Sequence, residues 1–65
     1  MKLQKTREAL KATQAQIAKE ANISLTQYQN IEYDKNEPSV RKAIRIAKAL
    51  NSTVEELWGG NQDDN

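Results

Sequence analysis

The side chains best suited to chemistry in this chain are uncharged hydrogen-bonding groups that recur between residues 25 and 33. At about 100° per residue, Thr26, Gln29, Asn30 and Tyr33 fall on one face of a helix through that stretch. Gln and Asn amides can pair with the edge of an adenine, and a Thr can contact a thymine methyl group. A solvated polar face is the other interpretation, and the pattern alone favours it because most surface helices have such a face.

Other kinds of chemistry have few candidate residues here. The chain has no Cys and no His, which removes thiol nucleophiles, disulfides, thiolate metal sites and the usual acid–base group near neutral pH. The N-terminus has charged residues where a signal peptide needs an apolar block, and no uncharged run is long enough to span a bilayer. We therefore expect a cytoplasmic protein that is not an enzyme, binds no metal, cofactor or membrane, and has no evident small-molecule ligand.

Charge is distributed unevenly along the chain. Residues 1–48 contain all ten Lys and Arg against five acidic residues, a balance of +5, and the other four acidic residues lie closer to the C-terminus. This asymmetry permits a polyanionic partner for the first three quarters of the chain. On charge alone, an ordinary mixed surface with a solvated acidic tail explains the pattern equally well.

Helices are the elements that must position the polar face. Many Ala, Leu, Lys, Gln and Glu residues favour helix, and no stretch alternates as a strand does. Ser or Thr residues mark four helix starts, and all but Ser39 predict a complete capping box: Thr13, Ser24, Ser39 and Thr53. Asn or Asp mark the ends in place of Gly: Asn22, Asn51 and either Asp34 or Asn36. Five helices are predicted, over residues 2–11, 14–21, 25–33, 40–50 and 54–58.

Apolar residues at helical spacing are predicted to form the core of these helices. They are Leu3, Leu10, Ile17, Ala21, Tyr28, Ile31, Val40, Ala43, Ile44, Ala47, Leu50 and Leu57. Together they predict one compact all-α domain over residues 1–58. The stretch 59–65 is polar, and we expect it to be a flexible tail.

The break between the second and third predicted helices is the most informative feature of the chain. Two short helices joined by a three- or four-residue turn must cross steeply, and the residues beside the turn must bury in the angle between them. Ala21 and Ile23 supply that contact, and Asn22 supplies the bend. Ala18 is small where the two helices press closest. This pattern predicts a helix-turn-helix formed by helices two and three.

The stretch "TQAQIAKEANISLTQYQNIEYDKNEPS" resembles the bacterial and phage regulators of the Cro and lambda-type repressor class, and the resemblance extends from about residue 3 to residue 57. It implies a compact five-helix lambda repressor-like domain that binds a double-stranded DNA operator as a homodimer through the major groove, as a transcriptional regulator and most simply as a repressor. A protein-binding antitoxin or adaptor with the same fold is the alternative. The chain departs from the family at Asn22, at Tyr28, and at Leu25, where a long polar residue is common.

In this context the polar face of the third helix is interpreted as a DNA-reading surface. The residues expected to contact bases are Leu25, Thr26, Gln29 and Asn30. Those expected to contact the DNA backbone are Gln14, Tyr33, Lys35 and Asn36, with Lys11 and Arg41 as weaker candidates. The family resemblance implies that Gln14 bridges the DNA backbone and the third helix. For any one Lys, a role in solubility alone is an equal alternative.

Two further sets of residues are expected to support this surface. The family resemblance implies a partly buried ion pair between Arg7 on the first helix and Glu32 at the end of the third. Val54, Leu57 and Trp58 give the fifth helix more apolar surface than its own packing needs, and they are interpreted as a dimer interface. Trp58 as a cover over the core of its own subunit is the alternative.

Overall fold

The computed structural model describes residues 2–59, and none of them lies in a β-strand. Four α-helices are followed by a single π-helical turn: Leu3–Ala9 (α1), Gln14–Glu20 (α2), Leu25–Glu32 (α3), Val40–Ala49 (α4) and Glu55–Gly59. The predicted all-α, five-helix architecture is confirmed, with every helix boundary within two residues of its predicted place. Gly59 belongs to the π-helical turn rather than to the predicted tail, and residues 60–65 lie outside the described part of the chain.

Capping boxes start α2 and α3 as predicted. Thr13 Oγ1 accepts a hydrogen bond from the Gln16 N–H at 3.1 Å, and Gln16 Oε1 accepts one from the Thr13 N–H at 2.8 Å. Ser24 and Gln27 exchange the equivalent bonds at 3.0 and 3.3 Å. Each box satisfies two backbone donors that a helix start leaves free. These local bonds explain why α3 begins immediately after the turn.

The capping box predicted at Thr53 is only half formed. Thr53 Oγ1 accepts from the Glu56 N–H at 3.1 Å, but the Glu56 carboxylate accepts from the Ser52 hydroxyl at 2.9 Å. The Ser52 hydroxyl, one residue before the cap, therefore binds the Glu56 carboxylate, which in a complete capping box would accept a hydrogen bond from the Thr53 N–H. The α-helix predicted from this box is instead a π-helical turn.

All four α-helices end on a non-glycine residue in the left-handed region. The φ angles are 58° for Lys11, 60° for Asn22, 65° for Asp34 and 56° for Asn51. Each of these residues donates its N–H to the carbonyl three residues earlier, and the next N–H donates to the carbonyl five residues before it, which is the Schellman pattern. Lys11 was predicted as the last residue of the first helix but not as a left-handed residue, because a Lys side chain has no intrinsic preference for this region.

The core contains most of the residues predicted for it, and α4 supplies the main exceptions. Val40 is 76% exposed, Ile44 and Leu10 are also exposed, and Ile46, which was not predicted, is fully buried. The inward face of α4 runs through Ala43, Ile46, Ala47 and Leu50. Ile44 lies about 100° around the helix from Ala43, and so falls outside that face.

Leu10 departs from the predicted core because of its place at the end of a helix. Leu10 is the residue that closes α1, within the turn that reverses the chain, so it does not continue the inward line from Leu3. Within residues 2–59, no helix has both the length and the apolar character that crossing a membrane requires.

Replacing Lys11 with Gly is expected to stabilise the fold. The Lys11→Gly variant should raise the free energy of unfolding by about 1 kcal/mol, because a side chain in the left-handed region costs roughly 1–2 kcal/mol and Gly recovers most of it. Urea denaturation followed by circular dichroism measures the change. Lys5→Gly, at an exposed position inside α1, is the control and should lower the same free energy by about 1 kcal/mol. Equal losses in both variants would contradict the left-handed conformation of Lys11.

Candidate nucleic-acid interface

The turn between α2 and α3 is held from three sides. Asn22 occupies the left-handed region, and the Ile23 N–H donates to the Ala18 carbonyl at 3.0 Å. Ala18 and Ala21 are buried, which lets the two helices approach closely. From α4, Arg45 Nε donates to the Ala21 carbonyl at 2.8 Å. Sequence reasoning missed this last contact, because nothing in the local pattern links an Arg on α4 to a carbonyl 24 residues earlier.

The two faces of α3 separate as the sequence predicted. Tyr28, Ile31 and Glu32 are buried against the rest of the domain. On the other side, Leu25, Thr26 and Tyr33 are exposed, whereas Gln29 and Asn30 are half-buried. The outer face carries hydroxyl and amide groups and an exposed Leu side chain, but no charge.

The structure contains the ion pair expected between Arg7 and Glu32. Arg7 Nε donates to Glu32 Oε1 at 3.0 Å, and Arg7 Nη2 donates to Glu32 Oε2 at 2.9 Å. Arg7 Nη1 also donates to the Ala12 carbonyl at 3.0 Å. The Glu32 side chain is 1% exposed and that of Arg7 is 13% exposed. This two-point contact joins α1 to the end of α3 and therefore fixes the orientation of α3.

Gln14, the first residue of α2, links the ion pair to the outer face of α3. Gln14 Nε2 donates to Glu32 Oε2 and to the Tyr33 hydroxyl oxygen, both at 3.2 Å. Gln14 Oε1 accepts from Gln29 Nε2 at 3.1 Å. One side chain thus contacts three residues at the end and the outer side of α3. The family resemblance implied that Gln14 bridges the DNA backbone and the third helix, but it did not identify Gln29 as the partner.

Three ionisable groups in this region have shifted pKa values. Burial, the largest single effect, would by itself raise the pKa of the Glu32 carboxyl, but the hydrogen bonds and positive charge of Arg7 and the hydrogen bond from Gln14 together help to outweigh it, so the pKa lies below its usual value. The hydrogen bonds to Glu32 raise the pKa of the Arg7 guanidinium. Burial, with the nearby Glu32 carboxylate, raises the pKa of the Tyr28 phenol. Glu32 is therefore ionised, and Tyr28 neutral, throughout the physiological range.

The buried Tyr28 hydroxyl is the unsatisfied polar group of this region. Among the described residues it has no hydrogen-bond partner, although its ring is fully buried. A buried Tyr normally pairs its hydroxyl with a hydrogen-bond partner. An unpaired hydroxyl in a core lowers the free energy of unfolding by on the order of 1–3 kcal/mol. The Tyr28 ring therefore contributes to packing, whereas its hydroxyl group destabilises the core.

The other residues expected to contact the DNA backbone lie beyond the end of α3. The N–H groups of Lys35 and Asn36 both donate to the Asn30 carbonyl, at 2.8 and 3.3 Å, which folds this loop back against the helix. Both side chains are exposed, as are those of Lys11 and Arg41. Lys35 and Asn36 therefore stand close to the exposed end of α3, next to Tyr33.

The residues expected at a dimer interface do not share one surface. Leu57 is 2% exposed and belongs to the core, so it has almost no surface to offer a second subunit. Val54 is exposed, Trp58 is half-buried against the core, and both line a largely apolar groove together with Pro38 and Val40. The acidic residues Asp34 and Glu37 also line it. Of the three predicted residues, Val54 and Trp58 therefore line this groove, and Leu57 lies in the core.

The arrangement of α2 and α3 defines a class of protein. Two short helices meet at a tight turn, α1 and α4 hold them from behind, and the outer face of the second helix is left uncovered within the described chain. Residues 3–57 match the helix-turn-helix family model, and the chain belongs to this family of regulators, of the Cro and lambda-type repressor class.

One relative and the solved structures complete these comparisons. Over 58 residues the chain is 40% identical to the cryptic phage CTXphi transcriptional repressor RstR of Vibrio cholerae serotype O1. The aligned region covers 89% of this chain and 52% of that protein, so the chain spans about half the length of the curated relative it matches. No solved structure gives a significant match.

The ion pair should give the stability of the domain a defined pH dependence. Because the pKa of Glu32 is lower in the folded state, its contribution is complete above the unfolded value of about 4.3 and disappears as the pH falls through the folded-state value. Replacing Glu32 with Gln should lower stability at pH 7 by about 3 kcal/mol and flatten the acid-side slope. Denaturation between pH 7 and pH 3 measures both effects. Glu8→Gln, at an exposed position, should change neither; an unaltered slope in Glu32→Gln would contradict the assignment.

Proposed function

We propose that this chain binds a double-stranded DNA operator and regulates transcription there, acting as a repressor by occupying the site. The observation that carries this proposal is the outer face of α3, which is uncharged, rich in hydrogen-bonding groups and fixed to the scaffold by Arg7, Glu32 and Gln14. A helix held in this way enters the major groove with its side chains at base edges. The relative named a transcriptional repressor supports the same reading.

The proposed base contacts follow from the chemistry of each exposed group. Gln29 and Asn30 carry amides, which pair with the N6 and N7 positions of adenine. Thr26 and Leu25, at the start of α3, are suited to thymine methyl groups. No Lys or Arg lies within α3, so the usual two-point contact from Arg to guanine is not available from this helix. We therefore propose an operator whose half-sites are rich in A·T pairs where α3 contacts them.

The proposed contacts to the DNA backbone surround α3. Lys35 and Asn36 follow its end, and the Tyr33 hydroxyl accepts its hydrogen bond from Gln14, which leaves its own O–H proton free to donate to a phosphate. The amide nitrogen of Gln14 already binds Glu32 and Tyr33, so the proposed phosphate contact of Gln14 comes from its main-chain N–H at the start of α2. These contacts orient the protein on the duplex in the bacterial or phage-infected cytoplasm.

We further propose that the protein binds as a symmetric homodimer. One domain of this size contacts only a few base pairs, and two half-sites about one helical turn apart require a two-fold pair of reading helices. The groove lined by Val54 and Trp58 is the proposed contact, and Val40, which also lines it, is 76% exposed. In this proposal Leu57 supports the groove from the core and does not touch the partner.

Sequence-specific binding can be tested by selection from random duplex DNA, followed by affinity measurements. Asn30→Ala should reduce the preference for the selected sequence by about 1–3 kcal/mol, because it removes a base contact. Lys35→Ala should weaken binding to all sequences alike and reduce the salt slope by about one. Lys48→Ala is the control for Lys35, since Lys48 is exposed beside Glu20 and Arg45, away from the outer face of α3. A chain with no tight, salt-sensitive DNA complex would favour the antitoxin or adaptor alternative.

The dimer proposal can be tested separately by sedimentation of the free protein. Val54→Glu should shift the protein from dimer to monomer, because a desolvated carboxylate without a partner opposes association. Operator binding should weaken at the same time. Ile44→Glu is the matched control, since Ile44 is an equally exposed β-branched residue on α4 that does not line the groove. Identical sedimentation of both variants and the unmodified chain would rule out this surface.

A further inference from the structure

The hydrogen bonds of Gln14 determine which way its amide faces. Its nitrogen lies 3.2 Å from Glu32 Oε2 and 3.2 Å from the Tyr33 hydroxyl oxygen. An ionised carboxylate accepts hydrogen bonds and cannot donate one. The reversed amide would bring Gln14 Oε1 against the carboxylate, two acceptors without a proton between them. The oxygen of Gln14 must therefore face the other way, toward Gln29.

The orientation of Gln14 in turn fixes the orientation of Gln29. Gln29 Nε2 donates to Gln14 Oε1 at 3.1 Å. One of its two N–H groups is committed to this bond, and Oε1 of Gln29 takes no part in it. Gln29 is half-buried on the outer face of α3. To a ligand approaching that face it offers one N–H donor and one oxygen acceptor.

The ion pair between Arg7 and Glu32 fixes the first member of this hydrogen-bond network. Both Glu32 oxygens accept from Arg7, at 3.0 and 2.9 Å, and the Glu32 side chain is 1% exposed. The carboxylate therefore has a fixed position and stays an acceptor. Donor and acceptor roles then follow in order from Arg7 through Glu32 and Gln14 to Gln29.

We propose that Gln14 is a positioning residue that sets Gln29 to accept adenine and reject guanine in the major groove. This inference rests on the proposed function, namely that the outer face of α3 reads duplex DNA. Adenine presents one acceptor, N7, and one donor group at N6, which complement the N–H and the oxygen that Gln29 has free. Guanine presents two acceptors, N7 and O6.

Guanine is excluded because its pattern demands two donors. A freely rotating Gln could turn its amide and offer both N–H groups, and so would discriminate poorly. With one N–H held by Gln14, Gln29 can satisfy only one guanine acceptor, and its oxygen repels the other. Cytosine offers a single donor at N4 and thymine a single acceptor at O4, so each forms at most one bond. The expected order of preference places adenine first and guanine last.

The test compares binding-site selections for the unmodified chain, Gln29→Leu, Gln14→Leu and the double variant. The base pair whose preference disappears in Gln29→Leu is the one that Gln29 reads. At that pair, the unmodified chain should prefer adenine over guanine by about tenfold or more. Gln14→Leu should lose most of this ratio, and in the double variant the ratio should equal that of Gln29→Leu. Gln4→Leu, which removes an exposed amide on α1, should keep the full ratio.

The readout is a ratio between two bases, so a general loss of affinity or stability in Gln14→Leu does not affect it. An unchanged ratio in Gln14→Leu, beside a lost ratio in Gln29→Leu, would overturn the inference and leave the proposed function standing. Absence of any sequence preference in the unmodified chain would overturn the proposed function and the inference together. In the free protein, the Gln29 side-chain NH₂ resonances should exchange slowly with solvent and lose that protection in Gln14→Leu; equal exchange in both would also contradict the inference.

Discussion

A buried carboxylate that must stay paired is the constraint on which this domain depends. Glu32 lies at the end of α3 with almost no exposure, and Arg7 of α1 supplies the two donors that make its burial tolerable. Because the carboxylate keeps its charge, it also orders Gln14 and through it Gln29. One electrostatic requirement thus connects the packing of the scaffold to the chemistry of the exposed face of α3.

The second constraint is the shortness of the helices. Helices of seven to ten residues are not stable alone in water, so each depends on its ends and on its buried face. Capping side chains satisfy the starts of α2, α3 and α4, and Schellman bonds satisfy the ends of all four. The domain achieves this with no glycine before residue 59, which leaves side chains in strained positions at four turns.

Features encoded by neighbouring residues could be predicted from local patterns, whereas contacts between distant residues could be predicted only where the family resemblance implied them, as for Arg7 and Glu32. Thr13, Ser24 and Asn22 act within four residues of their own position, and the structure has each of them in its predicted role. The choice between Ile44 and Ile46 depends on where α4 meets the other helices, which periodicity fixes only to within a residue. The hydrogen bonds from Arg45 to Ala21 and from Gln29 to Gln14 join residues 24 and 15 positions apart, and no local sequence pattern identifies either pair.

The uncharged outer face of α3 has a kinetic consequence for a protein that acts on DNA as proposed. Attraction to phosphates acts over the Debye length of about 8 Å in physiological salt, whereas amide and methyl contacts act only on touching. The flanking lysines would hold the protein near any duplex. Because the outer face of α3 is uncharged, the protein could move along the duplex from one binding register to the next over low energy barriers. Search speed and final selectivity would then reside in different residues, and each could change in evolution without the other.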